Sequence, residues 1–392
     1  MLRTIREKML CSRPTLVPVI CMLTVLTYVD FFPDAIRYNL SYIVWILVLV
    51  ECAFTCRIRI KKAALSYICY GLVFVAIIAA FELISPNKYL SSGVVYAIFV
   101  ALLVFICGVL LGNKLNENDV EVICRWYTLG AVLLAIILVI NTGGNFGLQS
   151  RVYGGLNKNS VGQILSTAAT ILMIGISTKK GRSNTILRVL LSAFLIVILF
   201  LMRSRTCILC FSASIIIMLF SRYTNRKVKR WILLALVGTV VFVLLNPNFR
   251  TILITNILFA NRDATSLDAL TSGRISIYSQ FFPLMKGNEL IGSGARYYES
   301  FYLSVLVQFG YPVGLYLWGY VLYMLRQIRK SQEYVPYGWL LVIISISYSL
   351  NGVFEGLPPF GPGTKNFLLW LLFGFAITHT NFQGYQKELE RE

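Results

Sequence analysis

Apolar residues along this chain come in long blocks rather than in the alternating or one-faced patterns of soluble folds. A membrane-crossing helix needs about 20 mostly apolar residues. Twelve blocks approach that length: 15–31, 40–56, 64–84, 93–112, 122–140, 160–177, 185–202, 206–221, 231–246, 301–325, 336–353 and 366–378. Residues 184–221 are apolar almost throughout, and as one helix they would extend about 57 Å, nearly twice the hydrocarbon thickness. The only interruption is Arg203-Ser204-Arg205. Two arginines at mid-membrane would cost about 3 kcal/mol each, so the chain is expected to turn there, at one surface. The fold expected is all-α, a polytopic transmembrane helical bundle of about 12 spans that makes residues 1–392 a single integral membrane domain.

Composition removes the alternatives. Of 392 residues, 57% are hydrophobic and 14% charged, with a mean hydropathy of +0.72. Soluble domains carry about a quarter charged residues, and none could hide this much apolar surface. The net charge of +19 would suggest nucleic acid in a soluble protein. Here it reflects topology, because basic residues collect on the cytoplasmic side, and no nucleic-acid partner is expected. With the N-terminus inside, alternating spans place 24 of the 36 Lys and Arg residues in or beside cytoplasmic segments such as Arg57-Ile-Arg59-Ile-Lys61-Lys62. Both termini then come out cytoplasmic. The N-terminus has no convincing small-residue cleavage site, so the first block reads as a retained helix. The outer loops are unequal. Residues 141–159 are polar and Gly-rich, 351–366 are rich in Gly and Pro, and 247–300 form a large external loop between spans 9 and 10. A structureless loop that long is uncommon unless functional. Its stretch Ile275–Met285 is expected to form a short interfacial helix.

The chemistry points to anions. Eight arginines fall outside against the positive-inside bias: Arg37, Arg151, Arg203, Arg205, Arg250, Arg262, Arg274 and Arg296. A guanidinium is a planar, permanent cation whose fork matches phosphate. Solvated loop charge and headgroup contact are the plainer readings for any one of them. Arg205 is less plain, because it sits in a tight turn inside an apolar run, where charges usually mark function. Arg151 opens RVYGGLNKNSVG, in which Gly154-Gly155 permits close backbone approach and Asn157 and Asn159 lead into a helix. Asn159 or Ser160 is the expected N-cap. A helix N-terminus beside an arginine suits an anionic ligand. Among external carboxylates, Glu299 stands where the long loop enters the span at 301, and Glu355 at the outer end of the span at 336–353. A carboxylate there can orient an arginine or accept a proton from a sugar hydroxyl. The only His, His379, cannot build a metal site alone, and Cys52/Cys56 and Cys207/Cys210 read as ordinary buried thiols. No metal site and no cofactor motif are found.

Four pieces in order then carry a resemblance: RVYGGLNKNSVG (151–162), LFLMRSRTCILC (199–210), SGRISIYSQ followed by GSGARYYESFYLSVLVQFGYPVGL (272–315), and NGVFEGLPPFGPGTKNFLLW (351–370). Over about residues 140–375 the chain resembles the O-antigen ligase/polymerase superfamily, specifically the Wzy-type polysaccharide repeat-unit polymerases. Ten residues separate Arg151 from Gly162, matching one spacing of such polymerases. A second spacing has fifteen residues between. From Arg274, Gly287 and Gly292 follow after twelve and seventeen. Ligases of the superfamily typically carry a His in the late loop, where this chain reads Tyr297-Tyr298-Glu299-Ser300, which favours a polymerase.

The resemblance implies a metal-independent glycosyltransferase of the GT-C type without cofactor, in the bacterial inner (plasma) membrane, with its active site facing the periplasm or exterior. Its substrates, donor and acceptor alike, would be polyprenyl-diphosphate-linked oligosaccharide repeat units of O-antigen or capsule type. Membrane lipid and a chain-length regulator protein would be its partners. Arg151, Arg205 and Arg274 would hold diphosphate, with Asn157 beside them. Glu299 would act as acceptor base or arginine-orienter, and Glu355 would position sugar or arginine. A ligase-like glycan transferase and a transporter of lipid-linked sugar or small solute are the alternatives. Against the transporter stand the unequal loops and the lack of similarity between halves that many such folds show.

Overall fold

The computed structural model describes residues 16–27, 34–56, 60–143, 152–153, 156–178, 182–251, 268, 273–332, 337–361 and 363–389. Each of the twelve apolar blocks has its helix. These are α1 (Leu16–Leu26), α2 (Asp34–Thr55), α3 (Lys62–Ile84), α4 (Gly93–Gly112), α5 (Glu117–Thr142), α6 (Lys158–Thr178), α7 (Arg182–Leu201), α8 (Arg205–Phe220), α9 (Arg226–Leu245), α13 (Phe301–Ser331), α14 (Gly338–Phe354) and α15 (Gly363–Leu389). Short helices α10 (Pro247–Thr251), α11 (Arg274–Ser279) and α12 (Phe281–Met285) stand in the long loop. Strands β1 (Val152–Tyr153) and β2 (Leu156–Asn157) pair antiparallel ahead of α6. Five helices are long and apolar enough to cross a membrane among the described residues: Lys62–Ile84, Gly93–Gly112, Asn118–Thr142, Arg226–Leu245 and Phe301–Ser331. Several shorter apolar helices accompany them. The protein is a polytopic helical membrane protein.

The helices form two compact units. One holds α1 to α4, the first part of α5, and everything from Gln280 onward. The other comprises Thr128–Ser279. In the first unit α4 and α15 lie at the centre. Lipid is as apolar as leucine, so close backbone approach and dispersion hold such helices together. Gly374 provides the approach, since a Cβ there would lie 2.7 Å from Val109 N. Around this pair Tyr67, Phe105, Tyr320, Trp370 and Phe373 interlock, with Tyr67 and Tyr320 stacked at 4.3 Å. Where tyrosines enter an apolar interior their hydroxyls need partners. Tyr70 and Tyr316 solve this reciprocally, each donating to the other's carbonyl at 2.9 and 2.7 Å.

The span read as continuous at 301–325 is broken. Gly310 takes φ +75° inside α13, and Pro312 follows. Proline supplies no N–H and crowds the preceding turn, and the Tyr311 N–H bonds outside the helix, to Glu289 O at 2.8 Å.

Candidate functional site

The reversal expected at Arg203-Ser204-Arg205 is present, α7 ending at Leu201 and α8 beginning at Arg205. Arg203 takes φ +53° and is the one non-glycine residue with positive φ among the described residues. Ser204 is wholly buried in the N-cap position of α8, yet its side chain does not cap the helix. Its hydroxyl donates instead to Asn159 Oδ1 at 2.8 Å. The Cys207 thiol donates to Asn159 O at 3.1 Å. Gly162, one turn along α6, is packed against the same turn: a Cβ there would meet Cys207 Sγ at 3.0 Å and Ser204 Oγ at 3.2 Å. The glycine of the Arg-to-Gly spacing therefore has a physical task, which is to let α6 touch this turn.

The expected cap at Asn159 or Ser160 is corrected by this packing. Helix α6 begins at Lys158, and the Asn159 side-chain oxygen is taken by Ser204. Arg205 is half-buried in the first turn of α8, its N–H donating to Arg203 O at 3.1 Å. Asn157 stands in β2 opposite Val152. Arg151, Gly154 and Gly155 lie outside the described residues.

Arg274 opens α11 in the same unit as Arg205 and is half-buried. Asp268 holds the start of that helix. Its Oδ1 accepts the Ser276 N–H at 2.8 Å, its Oδ2 the Ser276 hydroxyl at 2.5 Å, and its carbonyl the Gly273 N–H at 2.8 Å. The Ser276 bonds hold the Asp268 carboxyl below its ordinary range. The single helix expected over Ile275–Met285 is two short ones, divided at Gln280.

The two carboxylates belong to the other unit. The loop leading to Glu299 is strapped down by backbone bonds, Ser293 N–H to Val307 O at 2.8 Å, Gly294 N–H to Gln308 O at 3.1 Å, and Ala295 N–H to Lys88 O at 2.9 Å. Gly292 has φ +72° and presses on the Gln308 carbonyl, whereas nothing lies within 4 Å of a Cβ at Gly287. Both glycines after Arg274 take a left-handed backbone, Gly287 at φ +82°, and Gly292 is the one that in addition allows a close backbone approach. Buried Gln308 ties the straps together. Its Nε2 donates to Arg296 O at 2.7 Å and to Ser304 Oγ at 2.8 Å, and its Oε1 accepts from the Ser92 hydroxyl. Past Ser300, Phe301 N–H donates to Glu355 O at 2.9 Å, and a Cβ at Gly356 would lie 2.7 Å from Tyr298 O. Half-buried Glu299 and Glu355 thus stand on two backbone segments held against each other.

His379 serves the fold. Its Nε2 lies 3.0 Å from Gly112 O and 3.2 Å from Leu115 O, and its Nδ1 3.2 Å from the Tyr337 hydroxyl. Two carbonyls at Nε2 require the proton there, leaving Nδ1 to accept. Cys52, Cys56, Cys207 and Cys210 are buried and form no disulfide, as expected.

Residues 190–318 match the family model described as O-antigen ligase. The match supports the O-antigen ligase/polymerase superfamily for this chain. A comparison with curated proteins finds no match. The matched segment runs from α7 through the Arg203–Arg205 turn, the long loop and the first part of α13. It contains Arg205, Arg274 and Glu299. Arg151, Asn157 and Glu355 lie beyond it. The match indicates a membrane glycan-processing function of the ligase/polymerase type. The charge-led reading of the sequence missed Gln308. Its one signal is a lone amide in the apolar run Leu-Val-Gln-Phe.

Proposed function

We propose that this protein is a polymerase of bacterial surface polysaccharide. It transfers the growing glycan from polyprenyl diphosphate onto the next lipid-linked repeat unit at the outer face of the plasma membrane. The observation that carries the reading is the late loop. It enters α13 through Tyr297-Tyr298-Glu299-Ser300 with no histidine, and the chain's one histidine is engaged between α15 and the α4–α5 connection. The ligase alternative has the family model's description in its favour and lacks that histidine.

In this reaction the acceptor hydroxyl oxygen attacks the donor sugar C1 and forms the new glycosidic bond. The C1–O bond to diphosphate breaks, and its electron pair leaves with the diphosphate. Glu299 takes the hydroxyl proton. Arg151, Arg205 and Arg274, with Asn157, hold the diphosphate, whose leaving oxygen gains negative charge as the bond breaks. Donors already aimed at such charge are commonly the largest catalytic contribution. Glu355 positions the sugar or an arginine. With the charge carried by guanidinium groups, no metal ion is assigned a step.

The test is reconstitution in liposomes with the host's polyprenyl-diphosphate-linked repeat unit in the presence of EDTA. A ladder of repeats is expected. Transfer of one glycan to a different lipid acceptor without a ladder would establish the ligase alternative, and no new glycosidic bond from authentic substrate would remove the enzyme reading.

A further inference from the structure

Arg203 was the less conspicuous arginine of the turn, and the structure gives it the more unusual environment. Three observations bear on it. Its backbone is left-handed, at φ +53°. A bulky L-residue adopts that conformation only where its surroundings over-determine it, and such positions concentrate at functional sites. The surroundings here are identifiable. Ser204 Oγ is bound to Asn159 Oδ1, the Cys207 thiol is bound to Asn159 O, and Gly162 admits the approach of α6, so the turn cannot relax without breaking that packing. Finally, the Nη1 group of Arg203 is shielded from solvent and has no hydrogen-bond partner among the described residues.

A glycine would take this backbone without strain, and a neutral side chain would leave no buried donor unmet. The turn keeps an arginine in spite of both costs. A guanidinium with an unmet N–H at a tight turn in an apolar run is complementary to a phosphate oxygen, which the planar fork recognises bidentately.

We infer that Arg203 is a second anion-holding arginine of this turn and binds a phosphate oxygen of the polyprenyl diphosphate donor. The inference rests on the donor chemistry proposed above. It assigns a binding residue that neither the family spacing nor the earlier site set contains. Arg203 and Arg205 flank Ser204, so the Ser204 bond to Asn159 anchors the backbone that carries both cations.

Glycine at this position separates the functional role from a structural one. In Arg203→Gly the strain disappears together with the guanidinium, so a merely structural arginine predicts unchanged binding. The protein is placed in phosphatidylcholine nanodiscs, and binding of a fluorescent polyprenyl diphosphate without sugar is titrated alongside thermal unfolding. The expected result is an unfolding temperature at or above wild type with binding weakened about 100-fold, the range for losing one preformed charged donor. Arg203→Lys keeps the charge without the fork and is expected to fall between. Arg250→Ala, which removes an exposed cation of α10, is expected to bind as wild type.

Binding of Arg203→Gly within twofold of wild type overturns the inference and leaves the polymerase proposal standing. An equal loss in Arg250→Ala overturns it too, since general charge would then explain the effect. If phosphatidylglycerol in the nanodisc displaces the probe, the site is one for lipid headgroups and the inference falls. Failure of the wild-type protein to bind the probe removes the donor reading itself. Should the glycine variant not fold, Arg203→Gln is read by the same criteria.

Discussion

The turn between α7 and α8 and the loop before α13 each present charged residues of the proposed reaction, and they are built in opposite ways. The turn is three residues long, carries a left-handed arginine, and is held by the Ser204–Asn159 hydrogen bond, the Cys207 thiol contact and the missing Cβ of Gly162. The loop is held by bonds distributed along its backbone, gathered by the neutral side chain of Gln308. A short turn concentrates its function in a few atoms, so substitution there should act on chemistry. A distributed strap shares its task, so substitution there should act first on stability.

The largest effect separating the two is expected at Arg205. Arg205→Ala should lower polymerisation rate by about 10²–10³, or 2.7–4 kcal/mol, with protein level and unfolding temperature near wild type. Normal chain lengths from that variant would remove Arg205 from the site. Gln308→Leu should show the reverse pattern. It leaves the Ser92 hydroxyl and the Arg296 carbonyl each short of a partner, at about 1–3 kcal/mol for a buried polar group. The unfolding temperature should drop, and residues 286–300 should become the first site of proteolytic cutting. An unfolding temperature equal to wild type would mean the strap does not depend on this side chain.

A smaller effect tests the packing behind the turn. Gly162→Ala inserts a methyl against Cys207 Sγ and Ser204 Oγ, an overpacking worth about 1–3 kcal/mol at most. Pairing it with Cys207→Ala should recover part of the loss, because the two share one contact. Additivity of the two changes would argue that α6 does not meet the turn there.

The smallest effect concerns Asp268 and is a matter of pH. Its carboxyl is held below the ordinary value by the Ser276 bonds, so the ionised form is the one that binds. Support for α11 is therefore full above the ordinary carboxylate pKa of about 3.9, and it is lost as pH falls through the lowered folded value. Amide exchange at Ser276 should quicken below that range while global unfolding changes little. Exchange that is insensitive to acid would show that the carboxylate does not hold the helix.

Much of the fold was legible because lipid imposes its own code. Twelve apolar blocks became twelve helices, and the cost of two arginines at mid-membrane put a turn at Arg203–Arg205. What escaped was anything decided by contact. The break at Gly310 depends on Tyr311 bonding Glu289, a partner twenty-two positions upstream. Asn159 reads as a helix cap from local sequence and is claimed by Ser204 from another helix. The tasks of Gly162 and Gln308 lie in atoms they approach, which no spacing records. Charge drew attention to Arg205, Arg274, Glu299 and Glu355, and it placed the arginines and the carboxylates without revealing that they belong to two units.

The most direct test of the anion-holding turn is photoaffinity labelling. A polyprenyl diphosphate with a photoreactive group on its terminal phosphate would be cross-linked to the full-length protein in nanodiscs, and the adducts mapped by mass spectrometry. Adducts on residues 199–210 and on the start of α6, competed away by unlabelled polyprenyl diphosphate, are the result predicted here. Competable adducts confined to other segments, with 199–210 unlabelled, would contradict it.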